Sequence, residues 1–393
     1  TKSAFDSIGN RRTNLTLGGS YDDVYRLYLP KGNFSYAEII GKNKTVGISF
    51  NASYSKHDNL SLGSTLAHVT TAPAPSPLVR AQIADYPNIR WRLSAGLKLD
   101  FKLDQATTAH VNFLYNGWRE GIDAPSTYRY VVAQTAANGS NVLPGFTDDF
   151  AEWRPAATTF ARILVGQSPK NTVTRQLGSG IKRQQGPWKL SGNLSYSWAK
   201  TRYDSLSHGV GVGTAAVTNV GLILDRRNRS RYFPAITQTS GADYTKLASH
   251  QFQNLSIDDR EGRDEIVTIR ADVERKVALA APTRLQAGIK FNEQHRKRYD
   301  HRRNYTYNGP DGRPNSGDES VTRFTDGSYR QFDPGYPGYA VPEWFSIREV
   351  VKSLNDNPTW WQPLVDAGLR LRLADADLTP ESISRRGLQS FIH

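Results

Sequence analysis

Cysteine and methionine are both absent from the sequence. Without cysteine, a disulfide scaffold and a thiolate metal site are excluded. Without methionine the chain does not begin at a start codon. Its opening "TKSAFDSIGN" carries no signal-peptide pattern, so it reads as a mature or truncated product. Long apolar runs are missing too. Nowhere do about 18 apolar residues stand together, which excludes a membrane-spanning helix. Hydrophobic residues make up 38% of the chain and mean hydropathy is -0.57. This shortage leaves the membrane open, because the strands of a transmembrane barrel alternate and never build such a run. Acidic residues are outnumbered, 37 against 50 Lys and Arg, for a net charge of +13. An excess of this size points to an anionic partner: nucleic acid, an anionic lipid surface or an anionic ligand.

What the sequence does contain is alternation. "KLSGNLSYSWAK" (189–200) puts Leu190, Leu194, Tyr196 and Trp198 on one face, with Lys189, Ser191, Asn193, Ser195 and Ser197 on the other. That period of two predicts a strand with one apolar face. The same pattern recurs at 13–21, 45–54, 92–103, 108–116, 266–274 and 284–292, and more weakly at 33–40 and 172–182. It aligns Val46, Ile48 and Phe50, then Leu97 and Leu99, and later Ile289, on the apolar face. About nine strands result. Several run to 9–12 residues, the length of a tilted membrane crossing. The opposite face carries small serine and asparagine where a solvated sheet usually carries Lys and Glu. Pairs such as Asn14–Thr16, Asn51–Ser53 and Asn193–Ser195 therefore read as neighbours on a polar wall.

The connections alternate between short and long. "GKNK" (41–44), "DQAT" (104–107), "RQQGP" (183–187) and "ALAAP" (278–282) are short, and all fall at one end of the strands. The stretches 22–32, 55–91, 117–171, 205–264 and 304–393 read as long loops. Loops of that length argue against a compact soluble domain and suit the outer side of an outer-membrane barrel. Local helical signals decorate the last one. Ile347, Val350, Val351 and Leu354 have helical spacing, and Thr379, Pro380 and Glu381 suggest a second helix start at 378–386. "GVGVG" (209–213) lacks the spacing of a dinucleotide fingerprint and reads as flexible loop. "YNGPDGRPNSGDES" (307–320) is turn chemistry, in which Asp311, Asp318 and Glu319 miss the spacing of a calcium loop.

Only helices and closed barrels satisfy their backbone in lipid. A barrel wide enough for a lumen has an apolar outside and a polar inside, which accounts for both strand faces. The fold expected is all-β: a partial transmembrane antiparallel β-barrel, about nine strands of a larger one, with short periplasmic turns and long extracellular loops. "TKSAFDSIGNRRTNLTLGGSYDD" resembles the plug-to-barrel junction of TonB-dependent outer-membrane receptors, and "GPWKLSGNLSYSWAKTRYD" and "LQAGIKFNEQHRKRYD" are similar to outward barrel strands of that family. The resemblance implies TonB-dependent uptake of a scarce ligand, such as an iron chelate or another nutrient, at the cell outer membrane. Its partners would be outer-membrane lipid, lipopolysaccharide and a small-molecule ligand. TonB would be reached only through a plug domain that this chain lacks. The chain also departs from the family in its strand count and in ending "LQSFIH" after a helical stretch, so it reads as residues 1–393 of a barrel without its plug and closing strands.

Two basic clusters are the candidate ligand contacts. Arg226, Arg227, Arg229 and Arg231 lie in a long loop, and Arg296, Arg298, Arg302 and Arg303 lie where a strand leaves the membrane. They could draw in an anionic ligand, touch lipopolysaccharide or simply be solvated. Nucleic acid is not expected, since no recognised motif surrounds them. The eight histidines form no metal-binding spacing, and no catalytic constellation, metal or cofactor is expected. Two further readings stay open. One is a soluble β-rich binding protein or carbohydrate-active enzyme, the other a passive porin-like channel.

Overall fold

The computed structural model describes all residues except 1–2, 7–9, 24–25, 59–60, 70–73, 123, 126, 135–138, 230, 279–281, 326–339, 341, 365–380 and 393, and gives backbone alone for 61–62, 282 and 381–392. Strands β1 (Arg11–Asp22), β2 (Leu27–Ile40) and β3 (Val46–Asp58) open the chain, followed by β4 (Ser61–His68) and β5 (Leu78–Tyr86). The hairpin β6 (Ile89–Lys102) and β7 (Thr107–Glu120) leads to β8 (Thr127–Gln134), β9 (Phe150–Trp153) and β10 (Thr159–Gly166). The hairpin β11 (Lys170–Gln185) and β12 (Trp188–Asp204) leads to β13 (Val212–Thr218), β14 (Gly221–Asp225) and β15 (Ala235–Ser240). A long hairpin, β16 (Gln251–Ala278) and β17 (Pro282–Tyr307), precedes helix α1 (Ile347–Asp356), β18 (Trp361–Leu364) and β19 (Glu381–Ile392).

Sixteen of these strands join in one antiparallel sheet, curled into a half-barrel that does not close. All nine expected strands form and pair consecutively as β1-β2-β3-β6-β7-β11-β12-β16-β17. Among the described residues β1 pairs with β2 alone, and a tenth wall strand, β19, lines the far side of β17. The last element corrects an expectation. Residues 381–386 extend beside β17 as strand, while the expected cap residues Thr379 and Pro380 lie outside the described residues. Twelve residues of ladder hydrogen bonding outweigh a local helix signal.

The long loops are also corrected. The first is mostly strand, because β1 runs to Asp22 and β2 begins at Leu27; Pro30 and Gly32 interrupt the alternation that would have revealed it. The others hold β4, β5, β8, β9, β10, β13, β14 and β15. β16 makes this upper storey possible. Its later part pairs with β12 up to Asp204↔Asp259, and its earlier part takes β13 on the same side. From there the sheet continues β13-β10-β8-β5-β4, and a separate sheet, β15-β14-β9, faces it.

The buried apolar core lies here. Ile83, Val132, Ile163 and Ala215 from the large sheet meet Trp153, Leu222 and Leu224 from the small one. The Trp153 indole N–H donates to the Leu78 carbonyl at 2.9 Å, tying the two sheets together. Phe252 sits among Tyr307, Phe324, Phe345 and Trp361, edge-on to each at 5.1–5.8 Å between ring centroids. Burial pushes the Tyr307 phenol up to about 12. Helix α1 forms where its spacing predicts. The Ser346 hydroxyl caps it by accepting from the Glu349 N–H, and Ile347, Val350 and Val351 face the core. Val210 is fully buried and Gly213 lies in β13, so "GVGVG" is packed structure and not loose loop. The 307–320 turn is as expected: Asp318 accepts from the Asp311 N–H, and Glu319 from the N–H groups of Ser316 and Gly317.

Candidate functional site

The nine-strand wall has two unlike faces. Strand register places Val46, Phe101, Ala109, Ile181, Gly192, Ala271 and Ile289 in one row. The next rows read Ile48, Leu99, Val111, Ser179, Leu194, Ile269 and Phe291, then Phe50, Leu97, Phe113, Leu177, Tyr196 and Val267. The expected apolar set, including Leu190 and Trp198, therefore shares one face. Much of it is uncovered: Leu17 is 76% exposed, Leu194 51% and Ile289 48%.

This apolar band crosses the rows at a slant. Leu15 begins it in β1, yet the register carries Leu15 through Phe34, Ala52, Ala95, Tyr115, Arg175, Trp198 and Glu265 to His295, beyond the end of the band in β17. In β17 the band begins at Leu285, level with Trp188. The drift is about ten residues over eight strand steps, or roughly 40° of strand tilt at about 3.4 Å per residue and about 4.8 Å per strand. In β12 the band runs from Trp188 to Trp198, about 34 Å along the strand and about 26 Å measured across the tilt. Aromatics mark its upper margin: Tyr21 against Tyr28 at 4.9 Å and Tyr54 against Trp91 at 6.1 Å. Charges on this face gather at the margins of the band, although Glu38 stands between Tyr36 and Ile40 in β2, where it accepts from the Tyr36 hydroxyl. Arg175 lies over the Trp198 ring at 5.4 Å.

The other face is small and polar, and several of its charges are paired. Lys98 meets Asp100 at 3.0 Å, Arg270 grips Asp272 with two guanidinium nitrogens, and Lys189 reaches Glu274 at 3.1 Å. The 3-10 turn Ala4–Asp6 lies against this face at Gly47, where a Cβ would come within 2.9 Å of Ala4. At the upper end one row crosses six strands: Arg90, Glu120, Lys170, Tyr203, Arg260 and Asp300. Arg90 pairs with Glu120 at 2.7 Å, and Lys170 approaches the same carboxylate at 3.7 Å. Lys170 also lies between Trp118 (4.6 Å) and Tyr203 (5.1 Å), while Arg260 covers the other ring contact of Tyr203 at 4.3 Å. Cations interleaved with aromatic rings can hold a ligand that is both anionic and flat.

The two sequence-derived clusters have separate fates. Arg226 pairs with Asp149 and donates to the Asp148 carbonyl at 2.8 Å. Arg227 grips Asp225 at 2.8 Å and lies over Phe150 at 4.2 Å, and its hydrogen bonds hold the Asp225 carboxyl below the usual range. These two arginines bind the small sheet together. Arg229 closes a turn onto the Arg226 carbonyl, and Arg231 lies near the Tyr232 ring at 5.9 Å. In the second cluster, Arg296, Arg298 and Arg302 fall on the polar face, while Arg303 falls on the opposite one. Arg296 pairs with Asp264 and Arg298 with Asp300, so Arg298 joins the upper polar row. The rest of that row escaped sequence reasoning. A signal existed in hairpin symmetry, since Arg90 and Glu120 are equidistant from one short turn, and Lys170 and Tyr203 from another. No family model matches the sequence, and a search of curated proteins returns no match.

Proposed function

We propose that this chain is part of the wall of a larger outer-membrane barrel of the TonB-dependent receptor type, which binds a scarce ligand outside the cell and imports it. The slanted apolar band is the observation that carries this reading. Its height of about 26 Å, its tilt of about 40° and its aromatic margin are those of a lipid-crossing barrel. The band faces lipid, and the small polar face lines a lumen. The upper storey stands on the extracellular side, where the long connections emerge. An anionic ligand entering the lumen meets the row from Arg90 to Asp300.

The absence of cysteine makes the test free of background labelling. Single cysteines at Leu194 and Ser195 carry a fluorophore, and the protein is placed in vesicles containing brominated lipid. Quenching at 194 and none at 195 is expected. A monodisperse, cooperatively folding protein in detergent-free buffer overturns the proposal.

A further inference from the structure

Three arginines of the upper storey share one face of the large sheet, on three neighbouring strands: Arg80 in β5, Arg129 in β8 and Arg162 in β10. Register fixes that face. Arg162 stands opposite Val131 and Ala216, Val131 opposite Gln82, and Thr214 opposite Asn254 of β16. It is the continuation of the small polar face of the wall. The core side chains Ile83, Val132 and Ile163 point the other way. From β4 to β13 the register places no Asp or Glu on this face, and Asp85 is buried on the core side. None of the three arginines has an ion-pair partner among the described residues, and the Nε atoms of Arg129 and Arg162 are buried without a hydrogen-bond partner there. Two are held by rings: Arg162 lies over Phe160 at 4.6 Å and Arg129 over Tyr86 at 5.6 Å. Arg80 is steadied by Gln82, its Nη2 donating to Oε1 at 2.7 Å. Burial, and after it the charge of Arg80, lowers the affinity of Arg162 for its proton.

Like charges gathered on one face without a counter-charge cost free energy, and half-buried guanidinium N–H groups cost more when unpaired. On the lower wall several cations of this face are answered by carboxylates, as at Asp264, Asp272 and Glu274. Here none is supplied. We infer that Arg80, Arg129 and Arg162 form a binding site for a small polyanion, whose carboxylate or phosphate oxygens are held by the guanidinium forks. Stacked rings fix the direction of the forks before the ligand arrives, which reduces the entropy lost on binding.

The role of this site in import rests on the membrane reading, but the site itself does not. The purified chain in detergent is titrated calorimetrically with citrate and, separately, with pyrophosphate at low ionic strength. One saturable site for at least one of them is expected. Arg162→Gln and Arg129→Gln should each weaken it tenfold or more. Arg162→Lys, which keeps the charge and loses the fork, should fall between, and Arg175→Gln on the apolar face should bind as the parent does. Near-UV circular dichroism confirms that each variant is folded. If neither probe saturates, or if folded Arg129→Gln and Arg162→Gln bind as well as the parent, the inference fails. A chain that binds citrate through Arg162 yet shows no quenching at position 194 keeps the site and loses the import reading.

Discussion

The lower wall and the upper storey are built from one sheet but solve opposite problems. The wall leaves its large side chains uncovered, with Leu15, Leu17, Leu177, Leu190 and Leu194 all at least half exposed. The upper storey hides Trp153, Trp344, Phe252, Leu222 and Leu255 almost completely. At about 25 cal/mol per Å2 of apolar surface, the upper core stabilises itself in water, whereas the wall gains that term only from a second apolar phase. The long strands β16 and β17 pass through both regions. On the proposed reading a single antiparallel ladder serves two solvents, and the change of regime falls where charges such as Lys200, Glu261 and Arg263 end the apolar band.

The strongest way to break this comparison is to damage the upper core alone. Phe252→Ala removes the ring around which Tyr307, Phe324, Phe345 and Trp361 pack, and should cost about 3–5 kcal/mol. Near-UV circular dichroism should report an earlier melting of the aromatic cluster while membrane association is unchanged. Loss of membrane association as well would show that the two regions are not energetically separate.

A second substitution pair tests the wall. Leu194→Arg should cost about 2–4 kcal/mol of folding stability in bilayers if the band faces lipid. Ser195→Arg, one residue on, should be far milder because a lumen hydrates it. Urea titration of the two variants refolded into vesicles compares them directly, and equal penalties would reject the face assignment. A smaller contrast of the same kind uses glycine. A Cβ at Gly180 on the polar face would run into the His110 ring and come within 2.6 Å of Asn193, while at Gly192 on the apolar face the nearest atom is 3.6 Å away. Gly180→Ala should therefore cost about 1–3 kcal/mol, and Gly192→Ala should be close to neutral in the same titration.

The same contrast explains what could be read from the sequence. Strands such as β3 and β12 have one apolar and one polar face, so their alternation is plain in "VGISFNASY" and "KLSGNLSYSW". In parts of the upper storey both faces are covered. The last five residues of β8, "YVVAQ", are all buried, and β13 reads "VGTAAVT", so the period of two disappears. Helix α1 was legible because the spacing of its core face, Ile347, Val350 and Val351, is local in sequence. The row from Arg90 to Asp300 was not, because its members are adjacent only through the register of three hairpins and the pairing between them. Arg80, Arg129 and Arg162 were missed because each stands alone in its strand, among apolar neighbours in β8 and β10, whereas Arg226 and Arg227 were conspicuous as a run although each is occupied by a neighbouring acid.

The smallest effect expected is a response to pH confined to the upper storey. His250 is fully buried beside the first turn of β16, with Nδ1 3.0 Å from the Lys246 carbonyl and Nε2 without a partner among the described residues. Burial holds its pKa below the ordinary imidazole value, and the Lys246 carbonyl and the charges of Asp243 and Glu343 only partly oppose this. The folded state thus prefers the neutral ring. Above the unfolded pKa of about 6.5, folded and unfolded chains are both neutral and His250 contributes no pH dependence. As the pH falls below that value the unfolded chain takes up the proton first, so stability declines until the folded pKa is passed. The melting midpoint of the aromatic cluster should drop between pH 7.5 and 5 in the parent. In His250→Asn, which has no titrating ring, that part of the drop should vanish. The wall supplies the control, since quenching at Cys-labelled position 194 should not change over the same range. An equal pH response in the parent and in His250→Asn would assign the effect to acids such as Glu343, whose carboxyl is held low by the Leu247 N–H, and would remove His250 from the account.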